Sequence, residues 1–209
     1  MLENEVERGL LFVIVGPGGA GKNTLMNAAL ASMDDLNDLV TATTRERRPG
    51  EIDGVDYLFL SDEQFRQMIA NNALVEHQEV TPGNFYGVPR ATVEQSLEQG
   101  RDIIADIEVL GARILKESYP ATTVLVFVTV PGDTETEILA NLRTRMEDRN
   151  DPEDVIQERL SRAKILELPF QSECDHTIVN SDRDEAAAEL LSIIRQERAA
   201  HRDTTRVHS

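Results

Sequence analysis

Leu10-Leu11-Phe12-Val13-Ile14-Val15-Gly16-Pro17-Gly18-Gly19-Ala20-Gly21-Lys22-Asn23-Thr24 is the stretch on which the fold turns. LLFVIV is a continuous apolar run that ends at Gly16, as expected of a central strand buried on both faces. Beyond the glycines, Leu25, Met26, Ala29, Leu30 and Met33 recur at helical spacing. Strand, glycine loop and helix in that order turn a pattern into a site. Glycines let the backbone curl so that successive N–H groups point inward at a polyphosphate, and the helix N-terminus adds its dipole. Lys22 supplies a point charge for the β- and γ-phosphates. The bland alternative, a glycine-rich turn beside a solvated lysine, explains neither the strand before the loop nor the helix after it. Residues 16–24 are therefore expected to bind a nucleoside triphosphate.

One position departs from the usual loop. The residue after the lysine is ordinarily Ser or Thr, whose hydroxyl ligates Mg²⁺; here it is Asn23. An amide oxygen can ligate a hard cation or hold a metal-bound water. Thr24 lies about 100° further round the helix and is a poor replacement.

Outward from the loop, strands and helices alternate, which predicts an α/β fold with a parallel sheet and crossover helices. Arg101–Glu108 (RDIIADIE), Thr122–Val130 (TTVLVFVTV) and Thr177–Asn180 (TIVN) read as further strands, and Ala186, Leu190, Leu191 and Ile194 form one face of a closing helix. From about Arg198 the tail is polar and expected to fray. Two segments break the rhythm. Thr41–Arg90 is rich in turn residues, with strand-like VDYLFL and LVEHQEV around a short helix at Asp62–Asn71, and reads as a small inserted lobe. Asp133–Leu168 is helical, highly charged and interrupted by Asp148–Pro152 (DRNDP), and reads as a mobile flap.

The 209 residues suit one domain with small appended pieces. No apolar run reaches the roughly 18 residues of a membrane span, and MLENEVERG lacks the basic start and apolar core of a signal peptide. Cys174 is the only cysteine, so no internal disulfide forms, and a reducing cytoplasm is the expected compartment. A net charge of −17 argues against nonspecific nucleic-acid or anionic-membrane partners. It does not exclude an anionic substrate, because charge is screened beyond about 8 Å at physiological salt. Local clusters count instead: Arg45, Arg47 and Arg48, then Arg143, Arg145 and Arg149. Three lysines beside eighteen arginines on an acidic chain fit either high-salt adaptation or a habit of genome composition, and the second is the simpler. His77, His176, His201 and His208 show no metal-ligand spacing. His77 is expected to pack, and Cys174 to be an inert, partly buried thiol.

Several blocks in order resemble the guanylate kinase family: GPGGAGK, TATTRERRPGEIDGVDY (Thr41–Tyr57), NFYGVPR (Asn84–Arg90), DIEVLGA (Asp106–Ala112), IQERLSRA and TIVN. The second is the most specific. The resemblance spans about 10–198 and implies a P-loop NTPase-type sheet flanked by helices. The core would be 10–40, 91–132 and 169–198, with a GMP-binding lobe at 41–90, a helical lid at 133–168 and a polar tail at 199–209. It implies transfer of phosphate from ATP to GMP with Mg²⁺; the sequence leaves monomer and homodimer both open.

Carried over position by position, Arg45 and Arg48 match the arginines that grip the GMP phosphate, a task suited to a bidentate guanidinium. Tyr57 and Tyr86 match the phenols on the same phosphate. Glu76 matches the glutamate that accepts from guanine N1–H and N2, and Glu108 stands where the family's second reader is usually Asp. Thr41 keeps a base-contacting hydroxyl. Val88 replaces a usual Ser or Thr that donates to guanine O6; losing that bond costs about 0.5–3 kcal/mol and weakens discrimination against AMP. Asp106 matches the acid near metal and phosphates, so Asn23 and Asp106 are the metal candidates, mostly through water. In the lid, Arg145 is the better match to the phosphate-closing arginine, with Arg149 its rival, and Arg159 matches a second. Lys22, Arg45, Arg145 and Arg159 form the catalytic set, since phosphoryl transfer needs placed cations rather than a base. A ribose 1,5-bisphosphate-type kinase and a non-catalytic guanylate-kinase-like binding module are the alternatives. The intact second block argues against the first reading and Lys22 against the second.

Overall fold

The computed structural model describes residues 8–207; the acidic start Met1–Glu7, and His208 and Ser209, lie outside the described residues. The elements in chain order begin with β1 (Leu11–Val15), α1 (Lys22–Ser32), β2 (Leu36–Asp38), β3 (Thr41–Thr43), β4 (Tyr57–Phe59) and α2 (Asp62–Ala70). There follow β5 (Leu74–Thr81), β6 (Asn84–Pro89), α3 (Arg90–Glu98), β7 (Asp102–Asp106), α4 (Val109–Ser118) and β8 (Thr123–Thr129). Last come α5 (Glu135–Asp148), α6 (Glu153–Arg162), α7 (Leu168–Phe170), β9 (His176–Val179) and α8 (Arg183–Val207).

The LLFVIV run becomes the centre of a five-stranded parallel sheet of order β2-β7-β1-β8-β9. Its residues are at most 1% exposed beyond Leu10, because helices cover both faces. Alternation divides the strand: Phe12 and Ile14 pack with Leu25, Leu190 and Ile194, while Leu11, Val13 and Val15 pack with Val93, Leu97 and Leu115. The sheet register sets Ile14 beside Asp106, so the end of β7 comes level with the start of the glycine loop.

Thr41–Arg90 contains a separate four-stranded sheet, β4-β3-β6-β5, with its own small core at Ala42, Phe65 and Leu74. Thr41 pairs with Tyr57, and Gln78 with Tyr86. Ser61 and Gln64 form a reciprocal capping box that starts α2. The charged flap is the pair α5 and α6, separated by DRNDP; Asn150 has φ 58° and Pro152 leads into α6.

Three differences from the sequence reading have plain causes. Strand β7 stops at Asp106 because Glu108 already caps α4. The helical run after α6 does not end at Leu168; it passes through a π turn, Ala163–Glu167, into α7, and Phe170 is 2% exposed in the core. The expected frayed tail is helical to Val207, with Arg198 bonded to Asp102 at 2.5 Å and to Asp35 at 3.1 Å. Among the described residues no helix is long and apolar enough to cross a membrane.

Candidate functional site

The glycine loop needs its glycines. Gly16 (φ 143°) leaves no room for a Cβ, which would lie 2.1 Å from Val128 O. At Gly21 (φ 96°) a Cβ would lie 2.4 Å from Asn180 Nδ2. Asn180 donates to Ala20 O at 2.7 Å, tying the back of the loop to the end of β9. Lys22 donates to Gly16 O at 2.7 Å and lies 3.7 Å from Asp106, so its ammonium is folded over the loop. Burial pushes the Asp106 carboxyl up, and Lys22 and Arg162 pull it back. A cavity of about 560 Å³ opens over this loop, lined by Gly18, Gly19, Gly21, Lys22, Asn23 and Thr24. Gly16 instead lines the neighbouring cavity; Ala20 is fully buried, and Pro17 lines neither.

That second cavity, about 270 Å³, is walled by Thr41, Tyr57, Glu76, Gln78 and Tyr86 from the inserted lobe and by Asp106 and Glu108 from the core. The two cavities share Lys22, Val80, Asp106, Glu108 and Glu167, and so form one cleft. At its lobe end Arg45 is held by a two-oxygen contact to Glu51, 2.8 and 3.1 Å, and donates to Tyr86 Oη at 3.2 Å. Its guanidinium also lies 5.4 Å from the Tyr57 ring centre. Glu51 raises the Arg45 pKa further, and Arg45 in turn holds the Glu51 carboxyl low. The structure thus brings Arg45, Tyr57 and Tyr86 together at the rim. Arg48 is exposed; its backbone N–H donates to the Glu51 carboxylate at 2.7 Å and its carbonyl accepts from Glu51 N at 3.2 Å.

Glu76 is deeply set in the lobe cavity, 6% exposed. Burial pushes its pKa up to about 7, against a 3.2 Å hydrogen bond from Gln78. Gly111 of α4 packs on it so tightly that a Cβ there would meet the carboxyl at 2.8 Å. Glu108 lines both cavities. Val88 lines neither: it is fully buried in the core cluster with Leu39 and Val93, beneath the cavity rather than on its wall.

The lid arginines divide unexpectedly. Arg145 is turned to the back of the loop, donating to Asn180 O at 2.5 Å and toward Ala20 O at 3.5 Å. Burial lowers its pKa. Arg149 and Arg159 line the loop cavity, both within 2.9 Å of Asp151, and the Arg159 stem crosses Gly18. Of the two candidates for the phosphate-closing arginine, Arg149, the residue that ends α5, lines the loop cavity, and Arg145 packs behind the loop. Arg143 is taken up by Glu147 and Glu153.

Among the residues of the site that escaped the sequence reading are Glu51, Gln78, Arg162 and Glu167. Glu51 lies in the quoted RPGE block and Arg162 in IQERLSRA, so motif proximity was the available signal; Glu167 had none. His77 stands edge-on to Phe65 at 6.4 Å. Burial pushes the Cys174 thiol up to about 12, which keeps it protonated.

Comparison with known proteins accords with this geometry. A sequence model of the family described as guanylate kinase matches residues 8–197. The guanylate kinase of Nitrobacter winogradskyi is 41% identical over 191 residues, 91% of this chain and 84% of that protein. That of Rubrobacter xylanophilus is 41% identical over 192 residues, 91% and 96%. The crystal structure of guanylate kinase from Anaplasma phagocytophilum superposes with TM-score 0.71 at 30% identity, covering 91% of this chain and 87% of that one.

Proposed function

This chain belongs to the guanylate kinase family of phosphotransferases, and on that premise we propose that it transfers the γ-phosphate of ATP to GMP or dGMP, giving ADP and GDP or dGDP. One observation carries the reading: a phosphate loop and an acid-floored pocket with an Arg–Tyr rim share Lys22, Asp106 and Glu108 along a single cleft.

ATP takes the loop end. The amides of the loop and Lys22 hold its phosphates, and Arg149 and Arg159 close on them from the lid. Arg145 acts one step away, fixing the loop through Ala20 and Asn180. GMP takes the lobe end, its phosphate against Arg45, Tyr57 and Tyr86, with Arg48 joining as the lobe closes. Glu76 and Glu108 accept from guanine N1–H and N2, and Thr41 adds a hydroxyl. Adenine has an acceptor at N1 and repels a carboxylate there, so selectivity for guanine survives the absence of a donor at Val88. Closure brings the phosphates into line and excludes water.

The donor set suits Mg²⁺ carried by the nucleotide. Asn23 and Asp106 offer hard oxygens beside Lys22, and among the described residues no group of three His, Cys, Asp or Glu is arranged to hold an ion alone. Asn23 and Asp106 would hold it, mostly through water, and it would neutralise charge between the β- and γ-phosphates. We also place the protein in a reducing cytoplasm, as a monomer or homodimer without nucleic-acid or membrane partners, from its lone cysteine and net charge of −17.

A coupled assay with ATP and GMP, dGMP, AMP or ribose 1,5-bisphosphate tests the reading. Turnover with GMP and dGMP at rates well above AMP is expected. Turnover with the sugar bisphosphate alone identifies a sugar-phosphate kinase, and none with any acceptor identifies a binding module.

A further inference from the structure

Arg162, the last residue of α6, lines the loop cavity and engages at once two carboxyls that both cavities share. Its Nη2 pairs with Glu108, and its Nε lies 3.4 Å from Glu167 Oε1. The arrangement is poorly satisfied. Arg162 Nε and Glu167 Oε2 are two of three buried side-chain polar atoms without a hydrogen-bond partner among the described residues. Glu167 is only 6% exposed, and burial pushes its pKa up, against Lys22 and Arg162. The intervening backbone is the π turn Ala163–Glu167, a rare form often found where a helix is bent to serve a site.

The charge balance gives this cluster a direction. Asp106, Glu108, Glu158 and Glu167 line the loop cavity with Lys22, Arg149, Arg159 and Arg162, and Asp151, which pairs with Arg149 and Arg159, brings the acids to five against four cations. A polyphosphate adds to the deficit. Arg162 itself lines the loop cavity, beside Arg159 and Arg149, whereas Glu108 also faces the lobe cavity. A guanidinium already on the phosphate side, fixed there by an acid that belongs to the base pocket, is placed for exchange.

We propose that Arg162 is a phosphate ligand held in reserve: Glu108 and Glu167 retain it in the empty cleft, guanine takes over Glu108, and the freed guanidinium turns to the transferring phosphoryl group. The proposal rests on the reading of Glu108 as a guanine contact. Its consequence is coupling. Acceptor binding adds a cation to the transfer site, so GMP and ATP bind cooperatively, and transfer to water stays slow while the acceptor pocket is empty.

The test uses the full chain with Arg162→Gln, Arg162→Lys and Glu108→Gln. Single-turnover transfer is measured at saturating ATP and GMP, and GMP affinity by calorimetry with and without a non-hydrolysable ATP analogue. Arg162→Gln is expected to slow transfer on the order of 100-fold. It should leave the Kd for GMP alone unchanged or tighter, because Glu108 has lost a competitor, and should abolish the gain in GMP affinity on adding the analogue. Arg162→Lys keeps the charge and is expected to fall between, with coupling retained; it carries the test if the Gln variant fails to fold. Transfer by Arg162→Gln, or by Arg162→Lys in that case, at the wild-type rate overturns the proposal and leaves the guanine reading of Glu108 untouched. An unchanged GMP Kd in Glu108→Gln removes that reading, and with it the trigger for exchange.

Discussion

Replacing Glu76 by Gln separates the two things that its burial does. Desolvation moves its pKa from 4.5 to about 7, with the Gln78 hydrogen bond opposing. The folded protein therefore binds this proton more tightly than the unfolded chain does. The stabilising proton is fully bound below pH 4.5, and its contribution is lost as pH rises through 7. At ~1.36 kcal/mol per pKa unit, the ionised carboxyl costs the empty fold on the order of 3 kcal/mol at pH 8 and about 1 kcal/mol at pH 5.5. Glu76→Gln removes the ionisation, so its gain in Tm should be larger at pH 8 than at pH 5.5 by roughly 4–8 °C. Binding shows the other side. Guanine needs the carboxylate, so wild-type affinity for GMP should fall about tenfold from pH 8 to pH 6 beyond any change in the variant. The phosphate of GMP titrates near pH 6 in both proteins and cancels in that comparison. Calorimetric titration at pH 6, 7 and 8, with thermal melts of the empty proteins, reads both effects. Parallel pH dependence of GMP affinity in the two proteins, or a lower Tm for the variant at pH 8, refutes the reasoning.

Lys22→Ala should reduce kcat on the order of 100-fold or more while GMP affinity, measured by calorimetry, stays within about threefold. Gly21→Ala forces a side chain into φ 96° and against Asn180, and should lower stability by about 2–3 kcal/mol in a urea titration. Glu51→Gln weakens the two-oxygen hold on Arg45 and should raise KM for GMP several-fold in initial-rate assays, with KM for ATP unchanged.

The sheet and loop were legible because their signals are local and redundant: an apolar run, glycines with a steric reason, and a helical period all lie within residues 10–33. The lobe was legible as a lobe but not as a sheet. Strand β3 is three residues long, and β6 carries Gly87 and Pro89, so neither shows a period of its own; their pairing with β4 and β5 creates them. Spacing could not choose between Arg145 and Arg149, one helical turn apart, because the choice depends on where α5 ends. Glu167 was invisible for a similar reason. The π turn shifts the register after Arg162, so helical periodicity carried past that point assigns the wrong face. Val88 has no donor to offer, as its side chain alone says, but only packing shows that it sits under the pocket.

The central claim is that two nucleotides occupy one cleft with their phosphates meeting over Lys22 and Asp106. Calorimetric titration with adenosine and guanosine joined through a five-phosphate chain tests it most directly. The account predicts one molecule bound per chain, far more tightly than ATP or GMP, with both nucleotides excluded from the filled cleft. Affinity no better than that of ATP alone, with GMP still binding alongside, would contradict it.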